Sequence, residues 1–410
     1  MSGMSTELPH TSRPTSAATA LVPPATSTRA TSSTPVPASA PRVLVIGGSV
    51  FLGRAFAEEA LARGWSVTTF NRGRSAADPE GAESLRGDRT DPADLERLAA
   101  AGPWDVVVDV CGYAPVHVSA SARALAGAAS CYLFVSSVSA IQGWPEKPVD
   151  GGTPLLPGAP DAGPDDGDYG TLKAACERAL VRDFPGRTLI LAPGLIIGPG
   201  DLTGRATWWI ERAARGGDFV AGGGPERPVQ LIDARDIAAF GLDRALAPGA
   251  ADDAPGAPGA PGAADGGAGS ERFLVAAEPE GGSWGEFLDA CVAATGGRAR
   301  PVWIPDDFLL DHEVGVWNEL PLWAPDRPEF DGVWKPDSGP ALRAGLTPRP
   351  LADSVRDTWA WLERDPDARA RIARYAEDKR AQGLAPAGMD PSREAGLLAA
   401  WRSREAASRG

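Results

Sequence analysis

The feature that most constrains this chain is a regular alternation of short apolar segments with helical ones between residues 42 and 191. Segments rich in β-branched and aromatic residues are typical of buried strands, and the segments between them have helical periodicity. The predicted strands are residues 42–46, 66–70, 105–110, 131–136 and 187–191, and the predicted helices are residues 51–63, 92–101, 115–128 and 168–183. Strands that alternate with helices predict an α/β fold in which helices cover both faces of a parallel sheet.

The composition divides the rest of the chain into regions with different expectations. Residues 1–41 are rich in Ser, Thr, Pro and Ala, which predicts a disordered tail. We assign residues 42–200 to a nucleotide-binding domain and residues 201–364 to a smaller, interleaved substrate-binding region that partly returns to the sheet. Within that region, residues 228–232 and 272–276 are predicted strands, and the Ala-Gly-Pro run of residues 248–270 predicts a mobile loop. Residues 365–410 are expected to form a charged helical tail.

The charge and cysteine content exclude several classes of function. The 410 residues carry a formal net charge of −14, which argues against binding to nucleic acid or to an anionic membrane. No apolar run approaches the ~20 residues of a membrane helix. The four cysteines form no CxxC pair and the three histidines have no metal-like spacing, so no metal site is expected. These features are typical of a cytoplasmic protein.

A glycine-rich turn follows the first predicted strand and opens the first predicted helix, the context that a dinucleotide-binding loop requires. Gly47 would permit the tight turn, Gly53 would allow the helix to pack closely, and the free N–H groups of the helix would face a pyrophosphate. Val50 stands where a related pattern has a glycine, and a purely structural turn is the alternative. The predicted cofactor-binding residues are Gly47, Gly48, Ser49, Phe51, Leu52 and Gly53.

The end of the second strand bears on the choice between NAD and NADP. Asn71 stands where an acidic residue would bind the adenosine ribose, and Arg72 and Arg74 could pair with a 2′-phosphate, so we favour NADP while NAD remains open. The alternative is two solvated loop arginines. Asp88 is a candidate for contact with the adenine edge, whereas Asp91 is interpreted mainly as a helix cap.

Tyr169 and Lys173 are four residues apart and therefore share one face of a predicted helix. A nearby ammonium group stabilises a phenolate and lowers the pKa of a tyrosine, which can then exchange a proton with a substrate oxygen. Only four lysines occur in the chain, so this spacing is informative. Tyr375 and Lys379 have the same spacing, but they lie in the charged tail and are interpreted as a solvated helix face.

Serines mark the end of the fourth predicted strand, where the carboxyl ends of parallel strands line a ligand crevice. Ser137 is the preferred candidate to orient the oxygen on which Tyr169 acts, and Ser139 is the second choice. The alternative is that these hydroxyls only cap the backbone.

Together these motifs resemble the short-chain dehydrogenase/reductase superfamily, in its extended or atypical branch of NAD-dependent epimerase/dehydratase-like proteins. The resemblance implies a Rossmann-type doubly wound parallel sheet. It implies that Tyr169 is the general acid/base, that Lys173 lowers its pKa and holds the nicotinamide ribose, and that Ser137 polarises the substrate oxygen. It also implies that the segment with Pro193, Gly194 and Ile196 passes the nicotinamide.

The same resemblance implies an NAD(P)-dependent oxidoreductase that acts on a hydroxyl or carbonyl group of a small molecule. A nucleotide-sugar-type epimerase with tightly bound NAD and a non-catalytic NAD(P)-binding protein are the alternatives. Ala140 and Ile141 replace part of the usual epimerase signature, and Val138 and Ser139 replace the acidic pair of the branch's dehydratases, so a dehydratase is not expected. The oligomeric state is left open, with a homodimer as one option.

Tryptophan is concentrated in the predicted substrate-binding region, since ten of the 13 tryptophans lie from residue 208 onward. Most of them are expected to pack in cores, because tryptophan buries a large apolar area. Trp144 and either Trp208 or Trp209 are the best placed to line a substrate pocket. Arg227 could bind an anionic group or could be an ordinary surface arginine.

Overall fold

The computed structural model describes residues 40–247, 269–278 and 281–409. The predicted disordered tail and the predicted mobile loop therefore lie outside the described residues, apart from residues 40–41 and 269–270. Both remain expectations from composition.

The described residues form strands and helices whose bounds follow the predicted periodicity closely over the first 200 residues. The strands are β1 (Arg42–Ile46), β2 (Ser66–Asn71), β3 (Glu83–Arg86), β4 (Trp104–Asp109), β5 (Ala129–Val135), β6 (Arg187–Pro193), β7 (Leu195–Ile197), β8 (Gly217–Gly222), β9 (Leu231–Asp233), β10 (Ser270–Val275), β11 (Ala299–Ile304), β12 (Val316–Trp317) and β13 (Leu320–Pro321). The α-helices are α1 (Phe51–Ala62), α2 (Pro92–Ala100), α3 (Pro115–Leu125), α4 (Tyr169–Asp183), α5 (Arg205–Ala214), α6 (Ala234–Leu246), α7 (Trp284–Ala294), α8 (Asp306–Asp311), α9 (Gly339–Arg343), α10 (Leu351–Arg364), α11 (Ala368–Ala381) and α12 (Pro391–Arg409).

Seven parallel strands form the main sheet, in the order β3-β2-β1-β4-β5-β6-β10. Val43 is in register with Val67 on one side and with Val106 on the other, so β1 is central. The strand order reverses between β1 and β4, and ligands of such sheets bind at the carboxyl ends of the strands near that point. The predicted Rossmann-type, doubly wound parallel sheet is confirmed.

The two faces of the sheet carry separate apolar cores because side chains alternate along each strand. Val43 and Val45 of β1 point to the face covered by α1 and α6, where Phe56 is fully buried. Leu44 and Ile46 point to the opposite face, which α2, α3 and α4 cover. Burial on both faces explains why β1, β4 and β5 consist of nearly continuous apolar residues.

A third core is formed by residues after β6 and is centred on Trp209. The indole of Trp209 packs edge-to-face against Trp208 and Trp284, with ring centroids 4.7 and 5.1 Å apart, and its Nε1 donates to the Pro321 carbonyl at 2.5 Å. Strands β8 and β11 pair in parallel beside it, and α5, α7 and α10 enclose it. This part of the molecule is called the second lobe below.

Two segments connect the second lobe to the main sheet and to the carboxyl terminus. The strand predicted at residues 228–232 lies later, at β9, which pairs with β7, whereas β10 adds to the main sheet next to β6. The charged residues after 365 form α11 and α12, which bury Ala368, Leu397 and Leu398 in the second lobe. Among the described residues, no helix is both long and apolar enough to cross a membrane.

Candidate active site

The glycine-rich turn between β1 and α1 requires glycine for two different physical reasons. Gly47 has φ +93°, a left-handed conformation that residues with a Cβ rarely adopt. A Cβ at Gly53 would lie 2.4 Å from the carbonyl oxygen of Gly47, so only glycine lets α1 approach the strand this closely. Gly48, Ser49 and Leu52 lie in the same turn and in the first residues of α1.

The first turn of α1 is open to an anion. Val50 occupies the N-cap position without a side-chain hydrogen bond, and the turn contains no acidic residue. Phe51 has φ +44°, an unusual value for a residue with a side chain, and such strain concentrates at ligand sites. The backbone of Gly200 passes close by, since a Cβ there would lie 3.4 Å from the Phe51 nitrogen. These groups fit the pyrophosphate of a dinucleotide.

The residues predicted to contact the adenosine end of the cofactor lie together beyond β2 and β3. The amide of Asn71 is engaged, because its Nδ2 donates to Asp78 at 2.7 Å and its Oδ1 accepts from Arg86 at 2.5 Å. Arg72 is 3.9 Å from the Asp88 carboxylate and its side chain is 59% exposed, so its guanidinium is accessible to a ligand. Arg74 is also exposed at this edge.

Asp88 and Asp91 both stabilise the local backbone. Asp88 Oδ1 accepts from the backbone nitrogen and the hydroxyl of Thr90 at 3.0 and 2.8 Å. These bonds, together with the charges of Arg72 and Arg74, hold the pKa of Asp88 below its usual range. Asp91 accepts from the Ala93 nitrogen at 2.9 Å, in agreement with its interpretation as the cap of α2.

Tyr169 is the first residue of α4, and its phenol lies close to Ser137. Asp168 caps the helix by accepting from the Thr171 nitrogen at 2.7 Å, which fixes where the helix begins. Tyr169 is 51% exposed, yet the surrounding protein atoms desolvate its phenol and raise its pKa. The Ser137 hydroxyl and the Arg205 charge oppose that rise by favouring the phenolate.

Lys173 lies one turn further along α4 and is only 2% exposed. Its Nζ donates to the carbonyl oxygens of Gly112 at 3.0 Å and Val135 at 2.6 Å, and it lies 4.4 Å from the Phe134 ring centroid. Burial lowers the pKa of this ammonium. Desolvation raises the pKa of Tyr169 and the groups that lower it are Ser137 and Arg205, so a lowering of that pKa by Lys173 stays a prediction.

Ser137 lies at the carboxyl end of β5 and has two kinds of contact. Its Oγ accepts from the Ser139 nitrogen at 3.1 Å and so caps the short helical turn Val138–Ala140. The same hydroxyl is close enough to the phenol of Tyr169 to shift its pKa. The structure therefore brings Ser137 and Tyr169 together, although Ser137 also has the capping contact that was the alternative interpretation.

The neighbouring serine belongs to the protein interior. Ser136 donates to the Glu177 carboxylate, which also forms a buried salt bridge with Arg272 at 2.9 Å. These groups connect α4 to β10 and engage the Ser136 hydroxyl in the interior. Of these two serines, Ser137 is therefore the one whose hydroxyl reaches Tyr169.

Tyr113 was not among the predicted site residues, although it lies near Tyr169 and Lys173. It follows β4, is 58% exposed, and has its pKa raised by burial and by the nearby Tyr169. Lys173 Nζ lies 5.4 Å from its ring centroid. Its place in the loop four residues after the carboxyl end of β4 is a signal that could have identified it, because such loops line the ligand crevice of a parallel sheet.

The segment predicted to pass the nicotinamide leaves the main sheet at the edge where the carboxyl ends of the strands lie. Pro193 ends β6, and the Gly194 nitrogen donates to the Val275 carbonyl at 3.0 Å. Ile196 lies in β7 and is in register with Ile232 of β9. The segment thus runs from the carboxyl end of β6 toward the second lobe, on the edge that also carries Ser137.

The substrate-side candidates separate into packed and accessible residues. Trp209 is 1% exposed and packs in the third core, whereas Trp144 and Trp208 are half-buried. Arg227 forms a two-point salt bridge with Asp306, at 2.9 and 2.5 Å. Its charge is already balanced, which disfavours the hypothesis that Arg227 binds an anionic group.

Tyr375 is less solvated than its interpretation as part of a solvated helix face implied. Tyr375 on α11 is half-buried, and burial together with the buried Asp201 raises its pKa, while Arg205 lowers it. The phenol lies within electrostatic range of Tyr169 and Tyr113. The Tyr-x-x-x-Lys spacing did not predict how far Tyr375 is buried, because the tertiary contacts of α11 determine that burial.

Sequence comparison relates the chain to nucleotide-dependent enzymes. The profile of the NAD dependent epimerase/dehydratase family matches residues 43–255, which is more than half of the chain. The 2′-dehydrokanamycin reductase of Streptomyces kanamyceticus is 32% identical over 206 residues, 48% of this chain and 56% of that reductase. The 2-alkyl-3-oxoalkanoate reductase of Stenotrophomonas maltophilia is 30% identical over 236 residues, 51% of this chain and 67% of that enzyme.

Structural comparison supports the fold. The UDP-glucose 4-epimerase of Thermus thermophilus, solved with NAD, superposes with a TM-score of 0.54 at 17% identity and covers 79% of this chain. The Bordetella bronchiseptica enzyme WbmH, solved with NAD⁺, superposes with a TM-score of 0.56 at 16% identity and also covers 79% of this chain. In both cases 99% of the solved chain is covered.

Proposed function

The chain belongs to the NAD-dependent epimerase/dehydratase family, and from this premise we propose that it is an oxidoreductase acting on a small hydroxyl or carbonyl compound. The observation that carries the proposal is that Tyr169 and Ser137 lie together at the carboxyl edge of the main sheet. The two relatives above are both named as reductases, which favours net hydride transfer over epimerisation.

In the proposed mechanism, the nicotinamide supplies or accepts the hydride when it is bound. Tyr169 gives a proton to the substrate oxygen during reduction and removes it during oxidation, and Ser137 donates a hydrogen bond to that oxygen. Lys173 would hold the nicotinamide ribose when the cofactor is bound. The open first turn of α1 binds the pyrophosphate.

Substitution of Tyr169 tests the proposal directly. Tyr169→Phe removes the exchangeable proton, so we expect kcat to fall by about 10²–10⁴ while NADPH affinity changes little. Fluorescence titration measures the affinity, and NADPH oxidation with a panel of ketones and aldehydes measures the rate. The matched control is Lys335→Met, which removes an exposed lysine paired with Asp331 at 2.5 Å and should leave both quantities unchanged. Full activity of Tyr169→Phe would exclude both the oxidoreductase and the epimerase mechanism.

Retention of the cofactor distinguishes the two catalytic alternatives. A reductase must exchange its cofactor in every cycle, whereas an epimerase returns the hydride to the same substrate and can keep NAD bound. We therefore expect the purified protein to release its cofactor on dialysis. Stoichiometric NAD that remains after gel filtration, together with epimerisation of a nucleotide sugar, would favour the epimerase.

We further propose that NADP is the preferred cofactor, because Arg72 and Arg74 are exposed beside the adenosine end of the site. Arg72→Ala and Arg74→Ala should each weaken NADPH binding by about tenfold and leave NADH binding nearly unchanged. Arg300→Ala, which removes an exposed arginine of the second lobe, is the matched control. Equal losses for NADPH and NADH would assign the arginines to a part of the cofactor other than the 2′-phosphate.

A further inference from the structure

A buried ion pair lies at the carboxyl end of β4, next to the point where the strand order reverses. Asp109, the last residue of β4, is fully buried, and Arg89, from the loop between β3 and α2, is 11% exposed. The guanidinium donates from Nη1 to Asp109 Oδ1 at 2.9 Å and from Nη2 to Asp109 Oδ2 at 2.8 Å. Loops at this edge of a parallel sheet line the ligand crevice. The pair therefore lies in the part of the fold where the cofactor is proposed to bind.

The Asp109 carboxylate holds the loop that follows β4. Its Oδ1 also accepts from the backbone nitrogen of Cys111 at 3.1 Å, and its Oδ2 accepts from the hydroxyl of Tyr132 on β5 at 2.8 Å. Burial by itself would raise the pKa of Asp109, but the charge of Arg89 and these hydrogen bonds lower it, so the group is ionised at neutral pH. Donors on several sides give the carboxylate a fixed orientation.

The same loop reaches Lys173 one residue later. The carbonyl oxygen of Gly112 accepts from Lys173 Nζ at 3.0 Å. A Cβ at Gly112 would lie 2.6 Å from the ring of Phe134 and 3.3 Å from Asp109 Oδ2, so the loop is tightly packed where it meets the lysine. A change in the orientation of Asp109 would therefore displace the carbonyl group that Lys173 contacts.

The ammonium group of Lys173 has one donor left for a ligand. An ammonium has three donors, and the carbonyl oxygens of Gly112 at 3.0 Å and Val135 at 2.6 Å engage two of them. Among the described residues, Lys173 forms no third hydrogen bond. Because the N–H bonds of an ammonium have fixed angles, the two carbonyl groups determine where the third donor points.

Arg89 contacts both ends of the loop of residues 110–114. Its guanidinium binds Asp109 at the start of the loop, and Nη2 also donates to Ser121 Oγ at 3.0 Å and to the His117 carbonyl at 3.3 Å. Both of these residues belong to α3, which begins directly after the loop. The loop is thus fixed at each end by one buried side chain.

A contribution to stability is a weak explanation for this pair. Removal of two charges from water costs free energy, and apolar residues of similar volume are often at least as stabilising as a buried ion pair. An apolar pair, however, could not accept a hydrogen bond from the Cys111 nitrogen or orient the loop. Directed hydrogen bonds at the carboxyl end of β4 are what the ion pair supplies.

We propose that Arg89 and Asp109 are positioning residues for Lys173, a role that rests on the proposed function because that function assigns the nicotinamide ribose to Lys173. Arg89 orients the Asp109 carboxylate, the carboxylate fixes residues 111 and 112, and the Gly112 carbonyl directs the ammonium toward the ribose. The pair acts through Lys173 and not by touching the cofactor. Its loss should therefore weaken binding of the nicotinamide half of the cofactor and spare the adenosine half.

The test measures cofactor binding, which does not require a known substrate. The probes are NADPH and adenosine 2′,5′-bisphosphate, which has the adenosine end without the nicotinamide; NADH and ADP replace them if the protein prefers NADH. Asp109→Asn keeps the size of the side chain and removes its charge. We expect it to raise the Kd of NADPH by about tenfold and to change that of the bisphosphate by less than about twofold, measured by calorimetric titration.

A double-mutant cycle tests whether the effect passes through Lys173. Lys173→Met removes the ammonium and should itself raise the Kd of NADPH by about tenfold. Addition of Asp109→Asn to Lys173→Met should then raise that Kd by less than about twofold further, because the group through which Asp109 acts is absent. Full additivity of the two substitutions would overturn the proposal.

A second variant of the pair covers the case in which Asp109→Asn does not fold. Arg89→Lys keeps the charge but cannot form the two parallel hydrogen bonds, so we expect the Kd of NADPH to rise about three- to fivefold with that of the bisphosphate unchanged. The same cycle with Lys173→Met then decides the question.

The matched control changes another buried ion pair in the same way. Glu394→Gln converts a carboxylate to an amide in the pair with Arg212 in the second lobe, where the two side chains are 2.6 Å apart and both are 8% exposed. It should lower thermal stability and leave the affinities for both probes unchanged. Circular dichroism confirms that each variant is folded at the temperature of the titration.

The remaining outcomes separate this proposal from the proposed function. Equal weakening of NADPH and bisphosphate binding in Asp109→Asn, or unchanged NADPH binding, would overturn the positioning role alone. If the unmodified protein bound neither NADPH nor NADH, the assignment of the cofactor would fail, and the proposed function would fail with it.

Discussion

At the scale of single residues, the protonation of Tyr169 results from opposing influences. Removal of the phenol from water disfavours its charged form, while the hydroxyl of Ser137 and the charge of Arg205 favour it, and the first effect is larger. Lys173 is directed to two carbonyl oxygens instead of to the phenol. In the protein without ligands, Tyr169 is thus a protonated group, suited to donate a proton during reduction.

This balance predicts the pH dependence of Tyr169. A raised pKa means that the protonated form, which is the proton donor, persists at neutral pH and is lost only above the usual range of about 10. We expect reduction to show no loss of rate from deprotonation of Tyr169 between about pH 6 and about pH 9. Difference absorbance titration of the unmodified protein against Tyr169→Phe measures the same group without substrate. A transition near neutral pH in that difference would contradict the prediction.

At the scale of secondary structure elements, the carboxyl-terminal helices are integral to the second lobe despite their charged sequence. Helix α12 buries Leu397 and Leu398, and its Glu394 pairs with Arg212 where both are shielded from water. Breaking a buried pair from one side leaves the other charge without a partner, which costs more than the loss of an exposed pair.

Substitution of Glu394 tests the importance of this contact. Glu394→Ala leaves Arg212 buried without its carboxylate, so we expect a loss of about 3–5 kcal/mol in the free energy of unfolding. Arg402→Ala breaks a contact with Asp218 in which Arg402 is 55% exposed, and it should cost no more than about 1 kcal/mol. Urea denaturation followed by circular dichroism measures both variants. Equal effects would show that the burial of the Glu394 pair has no energetic consequence.

At the scale of the whole molecule, the main sheet and the second lobe have different cores. The main sheet and its loops supply the residues proposed to bind the cofactor, and the chain enters the second lobe after β6. The cores are separate, with Phe56 of α1 buried in one and Trp209 of α5 buried in the other. Stability and cofactor affinity should therefore respond differently to substitutions in the two cores.

A pair of large-to-small substitutions tests this separation. Trp209→Ala should reduce the free energy of unfolding by about 3–5 kcal/mol and leave NADPH affinity at low temperature within about twofold. Phe56→Ala, of similar expected cost, alters α1, the helix that begins at the cofactor-binding turn, and should weaken both stability and NADPH affinity. Thermal unfolding and fluorescence titration provide the two measurements. If folded Trp209→Ala lost as much NADPH affinity as Phe56→Ala, the two cores would not be independent.

The sequence by itself determined the sheet, the glycine-rich turn and the serine, tyrosine and lysine candidates. Residues that are close in sequence specify these features, because strand and helix periodicities and turn glycines are local properties. The tertiary structure determined side-chain contacts and burial that local sequence patterns do not predict. It paired Arg227 with Asp306, buried Glu394 against Arg212 and left Tyr375 half-buried. These positions depend on packing between segments that are distant in the chain, which no local pattern of residues encodes.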